Sequence, residues 1–340
     1  MAKTIRSLCY FSERYSDKTK ARVDALYNRL VAAGFEIQTQ RIVLPEAALS
    51  TLLSTSSVAQ WDGDGYIAIG PVSRQRWSSI REAFYSDLNL SCHLDLTQQI
   101  LAADVDRLFE IIATAADKTF NFSYCVNNPP SSPFFPSARW QQDGFAIGLQ
   151  STDLLEAEDG VADWMRKMRH CWQQIVDLFA DDGDFLGIDS SIAPLYHGSS
   201  SLVNFIRRQC GSFEQAVTTP IFTQLSQPLR EYNPRPVGLC GLMLPCLEDF
   251  ELAEEYQAGR FTIERNLFLA LHSGLGIDTY PIGIDQSPAR VFEILSLLRQ
   301  LSLKYHKPLS ARFISDGQAS INGQSDFDHP FLQDVIIRPL

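Results

Sequence analysis

Most of the familiar signatures of catalytic and cofactor-binding sequences are missing from this chain. It has no G-x-x-x-x-G-K-[ST] phosphate loop, no G-x-G-x-x-G turn, no G-x-S-x-G elbow and no H-E-x-x-H pair. It therefore carries no nucleotide-cofactor motif and no zincin or hydrolase-elbow signature. Positive charge is also scarce. The 29 Lys and Arg side chains against 40 Asp and Glu leave a net charge of −11, which disfavours nucleic acid and anionic lipid as partners and favours solubility. None of the seven cysteines stands in a C-x-x-C pair, and the closest two, Cys240 and Cys246, are six apart. They read as reduced, buried thiols in a reducing compartment. The six histidines are dispersed with no two at i, i+4, so a zinc site would have to be assembled from distant segments. No apolar run reaches membrane-spanning length, and the opening MAKTIRSLCYF has none long enough for a signal peptide. The expectation is a cytoplasmic protein with a small-molecule ligand and no nucleic-acid or membrane partner, with homo-oligomer formation left open.

What remains is ordinary globular material, 45% hydrophobic and 20% charged over 340 residues, enough for one large core or two ordinary domains. Short apolar runs alternate with helical patterns. Ile5–Phe11, Phe35–Val43, Tyr66–Ile69, Leu88–Leu96, Phe120–Val126 and Phe145–Leu149 read as strands. After Asp17, a capping residue, Val23, Leu26, Tyr27, Leu30 and Val31 form one apolar stripe, and Gly34 sits where a C-terminal glycine belongs. Asp104 is placed to cap the next helix, and Val161–Ala180 is a long one. Further helices are expected near Ser201–Gln209, Thr219–Leu229, Glu248–Gln257 and Thr262–Leu271, and after the Ser287-Pro288 start. The alternation argues for α/β with a largely parallel sheet. The proline-rich Gln227–Pro236 is the best candidate seam, but strand–helix alternation resumes beyond it, so a single domain over residues 1–340 is expected.

Two blocks concentrate the chemistry. Gly238–Asp249 (GLCGLMLPCLED) and Gly274–Asp285 (GLGIDTYPIGID) each join an apolar, strand-like run to carboxylates, and strand ends facing a cleft are where α/β proteins keep their chemistry. Glu248-Asp249 opens a helix, so the pair reads either as a helix cap or, for Glu248, as a general acid or base. Asp278, within an apolar strand pattern, needs a buried partner or a water-filled cavity. Arg6, Arg41 and Arg312 lie in strand-like runs and could hold a carboxylate or phosphate ligand, or form buried ion pairs with Asp278, Glu248 or Asp249. The stiff loop Asn127–Pro136, with four prolines and the aromatics Phe134 and Phe135, suits the wall of a pocket or an oligomer contact. His197 reads more readily as part of a turn than as an acid or base. Cys240 and Cys246 would be nucleophiles only beside a base.

Four blocks resemble the domain-of-unknown-function 711 family, also known as uncharacterised protein family 0210. They are Ile5-Arg6 with Gln38-Thr39-Gln40-Arg41-Ile42, Pro133–Pro136 with Phe145–Leu149, Asp189, Ser191, Ala193 and Pro194 with Gly241–Asp249, and Gly276–Pro281 with Lys307–Arg312 and Phe327–Pro330. The resemblance implies a ten-stranded α/β barrel like that of pyruvate formate-lyase and anaerobic ribonucleotide reductase. The glycyl-radical segment of those enzymes is absent, so no radical mechanism is implied. This chain departs from the family pattern at Ser273, which replaces a cysteine beside His272, at Gln215–Thr218, at His329 and at Gly283–Asp285.

The reading that follows is an enzyme acting on a small polar, anionic metabolite by acid/base chemistry inside a barrel pocket, its reaction unassigned. Glu248, Asp278 and His272 are the candidate catalytic groups. Arg6, Gln38, Arg41, Phe134, Phe135, His197, Asp249, Arg312 and His329 are the candidate substrate contacts. The alternative is a non-catalytic metabolite-binding or regulatory protein of the same fold. No resident metal is assigned, although Glu248, Asp249, Asp278 and Asp285 could converge on a divalent ion.

Overall fold

In the computed structural model the chain is described over residues 3–49 and 65–340. Its sheet is built from β1 (Thr4–Phe11), β2 (Glu36–Ile37), β3 (Gln40–Val43), β4 (Gly65–Ala68), β5 (Leu90–Asp95), β6 (Phe122–Val126), β7 (Gly144–Leu149), β8 (Phe185–Asp189), β9 (Gly276–Pro281) and β10 (Leu309–Ile314). The order is β8-β7-β1-β3-β4-β5-β6-β10-β9, with β2 also paired to β1. The five strands from β1 to β6 on this path are mutually parallel. Two parallel pairs, β7 with β8 and β9 with β10, join them antiparallel at β1/β7 and β6/β10. One mostly parallel α/β sheet thus draws on the chain from Thr4 to Ile314.

One face of the sheet packs on helices. Helix Asp17–Ala32 buries Val23, Leu26 and Leu30 against the sheet, and its N-cap is Ser16, whose side chain accepts from the Thr19 amide. Asp17 is the first helical residue instead of the cap. Asp104 likewise is not the cap of helix Ala102–Thr114; it stands in the first turn and reaches back to the Leu101 N–H at 2.8 Å while holding Arg74. The long helices Val161–Leu178 and Pro288–Tyr305 bury Trp164, Trp172, Ile294 and Leu298. No helix among the described residues is long and apolar enough to cross a membrane.

The opposite strand faces carry apolar residues of their own. Cys9, Phe11, Val43, Ala68 and Ala146 form a separate cluster there, and Ala138, from the loop joining β6 to β7, packs into it. That loop is the expected stiff wall. Its carbonyl at Pro133 accepts from Arg41, and Asn128 contacts the buried His93.

Two strand expectations need correction. Phe35–Val43 is broken into β2 and β3 at Gln38-Thr39, where the Thr39 hydroxyl bonds the Arg6 carbonyl at 2.5 Å and the Arg41 Nε at 3.1 Å. Gly238–Asp249 is not a regular strand. The amides of Leu239 and Cys240 are committed to the Asp189 carboxylate, Gly238 and Cys240 have positive φ, and Pro245 has no N–H to donate. Single parallel bridges remain: Ile188 to Pro236, Ile192 to Leu242 and Tyr196 to Asp249 on the β8 side, and Leu242 to Gly274 and Pro245 to Asp278 on the β9 side.

Candidate functional site

Irregularities in the strands aim the charged groups. Pairing of β1 with β7 slips between Ile5 and Ser7, and pairing of β10 with β9 slips between Ala311 and Phe313. Each slip falls on an arginine, Arg6 or Arg312, and a bulge of this kind re-aims a side chain that strict alternation would send elsewhere. Arg6, Arg41, Glu248, Asp278 and Arg312 accordingly line one cavity of about 80 Å³, together with Gln38, Phe134 and Phe135. A single water needs roughly 10–15 Å³ on the same measure, so the space suits a molecule of about five to eight heavy atoms.

The carboxylates and two of the arginines form a continuous chain. Arg6 Nη2 bonds Glu248 Oε2 at 2.6 Å, and Arg312 Nη2 bonds Glu248 Oε1 at 2.5 Å. Arg312 Nε then donates to Asp278 Oδ1 at 2.7 Å. Arg312, Glu248 and Asp278 are all buried. Burial opposes the charge on Glu248, but Arg312 and Arg6 outweigh it and hold this carboxyl below its usual range. Asp278 goes the other way: burial, with a contribution from Glu248 and against the pull of Arg312, raises it to about 6.

Arg41 is different. It is buried, yet no carboxylate among the described residues pairs with it. Its Nε and Nη1 donate to Thr39 Oγ1 and to the Pro133 carbonyl, and its guanidinium lies 5.7 Å from the Tyr66 ring centre and 5.1 Å from that of Phe135. Burial pushes its pKa down to about 10, the Arg6 charge adding to the effect. Two buried polar atoms around the cavity also lack partners, Arg312 Nη1 and Gln38 Oε1.

Other expected site residues lie elsewhere. Asp249, next to Glu248, caps helix Phe250–Gln257 by accepting from the Leu252 amide, and also accepts from the amides of Leu202 and Val203. Its carboxylate serves two helix N-termini and does not line the cavity, so the cap reading belongs to Asp249 and the site reading to Glu248. His272 lies at the end of helix Ile263–His272, its Nδ1 2.6 Å from Ser273 Oγ, around a separate surface hollow with Cys240 and Lys307. His197 is exposed, 3.6 Å from Glu251. His329 stands at the rim, its ring 4.3 Å from Phe120 and 5.5 Å from Phe331, both of which line the cavity. Cys240 and Cys246 are buried, and burial raises both thiols.

The four carboxylates weighed for a metal do not converge, because Asp249 caps its helices and Asp285 accepts from the Ile321 amide. Among the described residues no group of three or more His, Cys, Asp or Glu is placed to hold a metal ion.

Several lining residues were not singled out as contacts. Tyr66 and Thr39 flank Arg41, and Phe120 stacks against Arg312 at 4.9 Å. Asp189 and Ser191 also line the cavity. Asp189 accepts from the amides of Ser191, Leu239 and Cys240 and from the Ser191 hydroxyl. The available signal was its place at the end of an apolar strand, FLGID, the same pattern that marked Asp278.

The family model described as Uncharacterised ACR (DUF711) matches residues 69–318, and the chain belongs to that family. No curated protein sequence matches it.

Proposed function

For this member of an uncharacterised family we propose an enzyme that carries out acid/base chemistry on a small anionic metabolite within the Arg41–Asp278 cavity. The observation that carries the proposal is Arg41. A buried guanidinium without a carboxylate is costly unless something compensates it, and it borders a cavity sized for one small molecule. An anionic group of the ligand would sit there. Glu248 and Asp278 have environments that push their proton affinities apart, the pattern expected of an acid/base pair. Asp278, with a carboxyl near 6 and no protein hydrogen bond to its Oδ2 among the described residues, is the proton carrier. Glu248 stays ionised and balances the arginines.

We propose further that the sheet closes into a barrel. Nine strand positions run along the path, and the segment from Pro236 to Asp249, bridged to β8 on one side and β9 on the other, would be the tenth and close the sheet into a barrel. Two five-membered parallel halves meeting antiparallel favour the likeness to pyruvate formate-lyase-type barrels. The seven free thiols suit a reducing, cytoplasmic setting.

The test is incubation of the protein with a small-metabolite extract, followed by mass spectrometry. Wild type should consume a carboxylate that Asp278→Asn, folded and still protected by the same compound against heat, turns over on the order of 10²–10⁴ times more slowly. Heat protection of both proteins with no conversion by either would support the non-catalytic binding or regulatory alternative and reject the enzyme.

A further inference from the structure

Resting on that reading of the cavity, we propose that it selects singly charged small carboxylates and rejects dianions, because one lining cation, Arg41, has no carboxylate partner among the described residues while three carboxylates line the same space. Glu248 is matched by Arg6 and Arg312, and Asp278 by Arg312. These two guanidiniums and two carboxylates balance. Asp189 also lines the cavity and is held by three backbone amides and the Ser191 hydroxyl, neutral donors that leave its charge in place. Arg41 remains without a carboxylate partner among the described residues.

Arg312 Nη1 is a second cationic donor in the wall without a partner among the described residues. The guanidinium carbons of Arg41 and Arg312 lie 5.1 and 5.8 Å from the centre of the Phe135 ring, so both flank one aromatic side chain that lines the cavity. A carboxylate there meets the Arg41 cation, with the Arg312 guanidinium on the same aromatic wall. A second negative charge, as in a dicarboxylate or phosphate monoester, would lie in a desolvated space already holding Glu248 and Asp278. Like charges so placed repel, which disfavours the second charge. Wall chemistry reinforces the choice, since Tyr66, Phe134 and Phe135 offer rings to an uncharged remainder.

The experiment is calorimetric titration of the full chain at pH 7.5 with acetate, propionate, lactate and 3-hydroxybutyrate as monoanions, and malate and 2-phosphoglycolate as multiply charged probes. The best monoanion should bind about tenfold or more tightly than either of the latter. Asp278→Asn removes one negative charge and should shift that ratio about tenfold or more toward malate; if that variant does not fold, Glu248→Gln makes the same change. Arg41→Met, with its fold verified by circular dichroism, should lose monoanion binding. Malate or 2-phosphoglycolate binding wild type as tightly as the monoanions, through Arg41, would overturn charge selection and leave the anion site standing. No binding of any probe, or binding unchanged in Arg41→Met, would overturn both.

Discussion

Arg312→Met is expected to lower the free energy of unfolding by about 3–5 kcal/mol at pH 8. Arg312 is the cation between two buried carboxylates, 2.5 Å from Glu248 and 2.7 Å from Asp278. Glu248 would keep Arg6, but Asp278 would keep no partner, and an apolar side chain of similar length cannot offset a stranded buried charge. The deficit should narrow on acidification, and the sign can be worked out. Asp278 already has its carboxyl raised to about 6 in the folded protein against 3.8 ordinarily. Its contribution is therefore full below the ordinary value and is lost as pH rises through 6. Glu248, held low by Arg312 and Arg6, contributes above its ordinary value, and that contribution is lost as pH falls. Without Arg312 both carboxyls move upward. The folded variant then takes up protons that the unfolded chain does not, and it regains stability between pH 8 and 5. Urea unfolding at the two pH values is the check. A deficit under about 1 kcal/mol at pH 8, small for the loss of a buried partner, or one that does not change with pH, would mean that the ion-pair chain is not formed as described.

Gly276→Ala should be still more damaging. Gly276 opens β9 with φ +119, and a Cβ there would lie 2.0 Å from the carbonyl oxygen and 2.7 Å from the nitrogen of Ser310 in β10. Neither backbone atom can move without parting the two strands, and that pairing presents Asp278 to Arg312. We expect a loss above about 4 kcal/mol, in the range reserved for gross steric or burial faults. Gly34→Ala is the matched control. Its φ is +84, but nothing lies within 4 Å of the added Cβ, so only the left-handed backbone cost of about 1–2 kcal/mol applies. Guanidinium unfolding of the two variants should separate them clearly, and equal losses would place β9 and β10 differently.

The strand–helix order was legible because buried strands and amphipathic helices have different periods, and the arginines in strand-like runs did converge with Glu248 and Asp278. Three things were hidden for identifiable reasons. Spacing could not divide Glu248-Asp249, since adjacent carboxylates at a helix start differ only in direction: Asp249 turns to the backbone amides of residues 202, 203 and 252, and Glu248 to Arg6 and Arg312. The segment from Gly238 looked like a strand because its side chains are apolar, but composition does not reveal that Asp189 takes the amides of Leu239 and Cys240. His272 adjoins Ser273, a departure from the family pattern, but both line a separate hollow. The chain crosses from the outer hollow at His272 to the cavity at Asp278 within six residues, a distance an extended strand covers easily.

The central claim is that a buried Arg41, with no carboxylate partner among the described residues, and a proton-accepting Asp278 act on one ligand. It is tested most directly by titrating propionate into the protein at pH 6.5 in two buffers of different ionisation enthalpy. Binding should be one to one and should take up a fraction of a proton, because a second anion near Asp278 raises its carboxyl further; the uptake should vanish in Asp278→Asn, and the binding itself in Arg41→Met. Binding that takes up no proton, or that survives the loss of Arg41, would contradict the account.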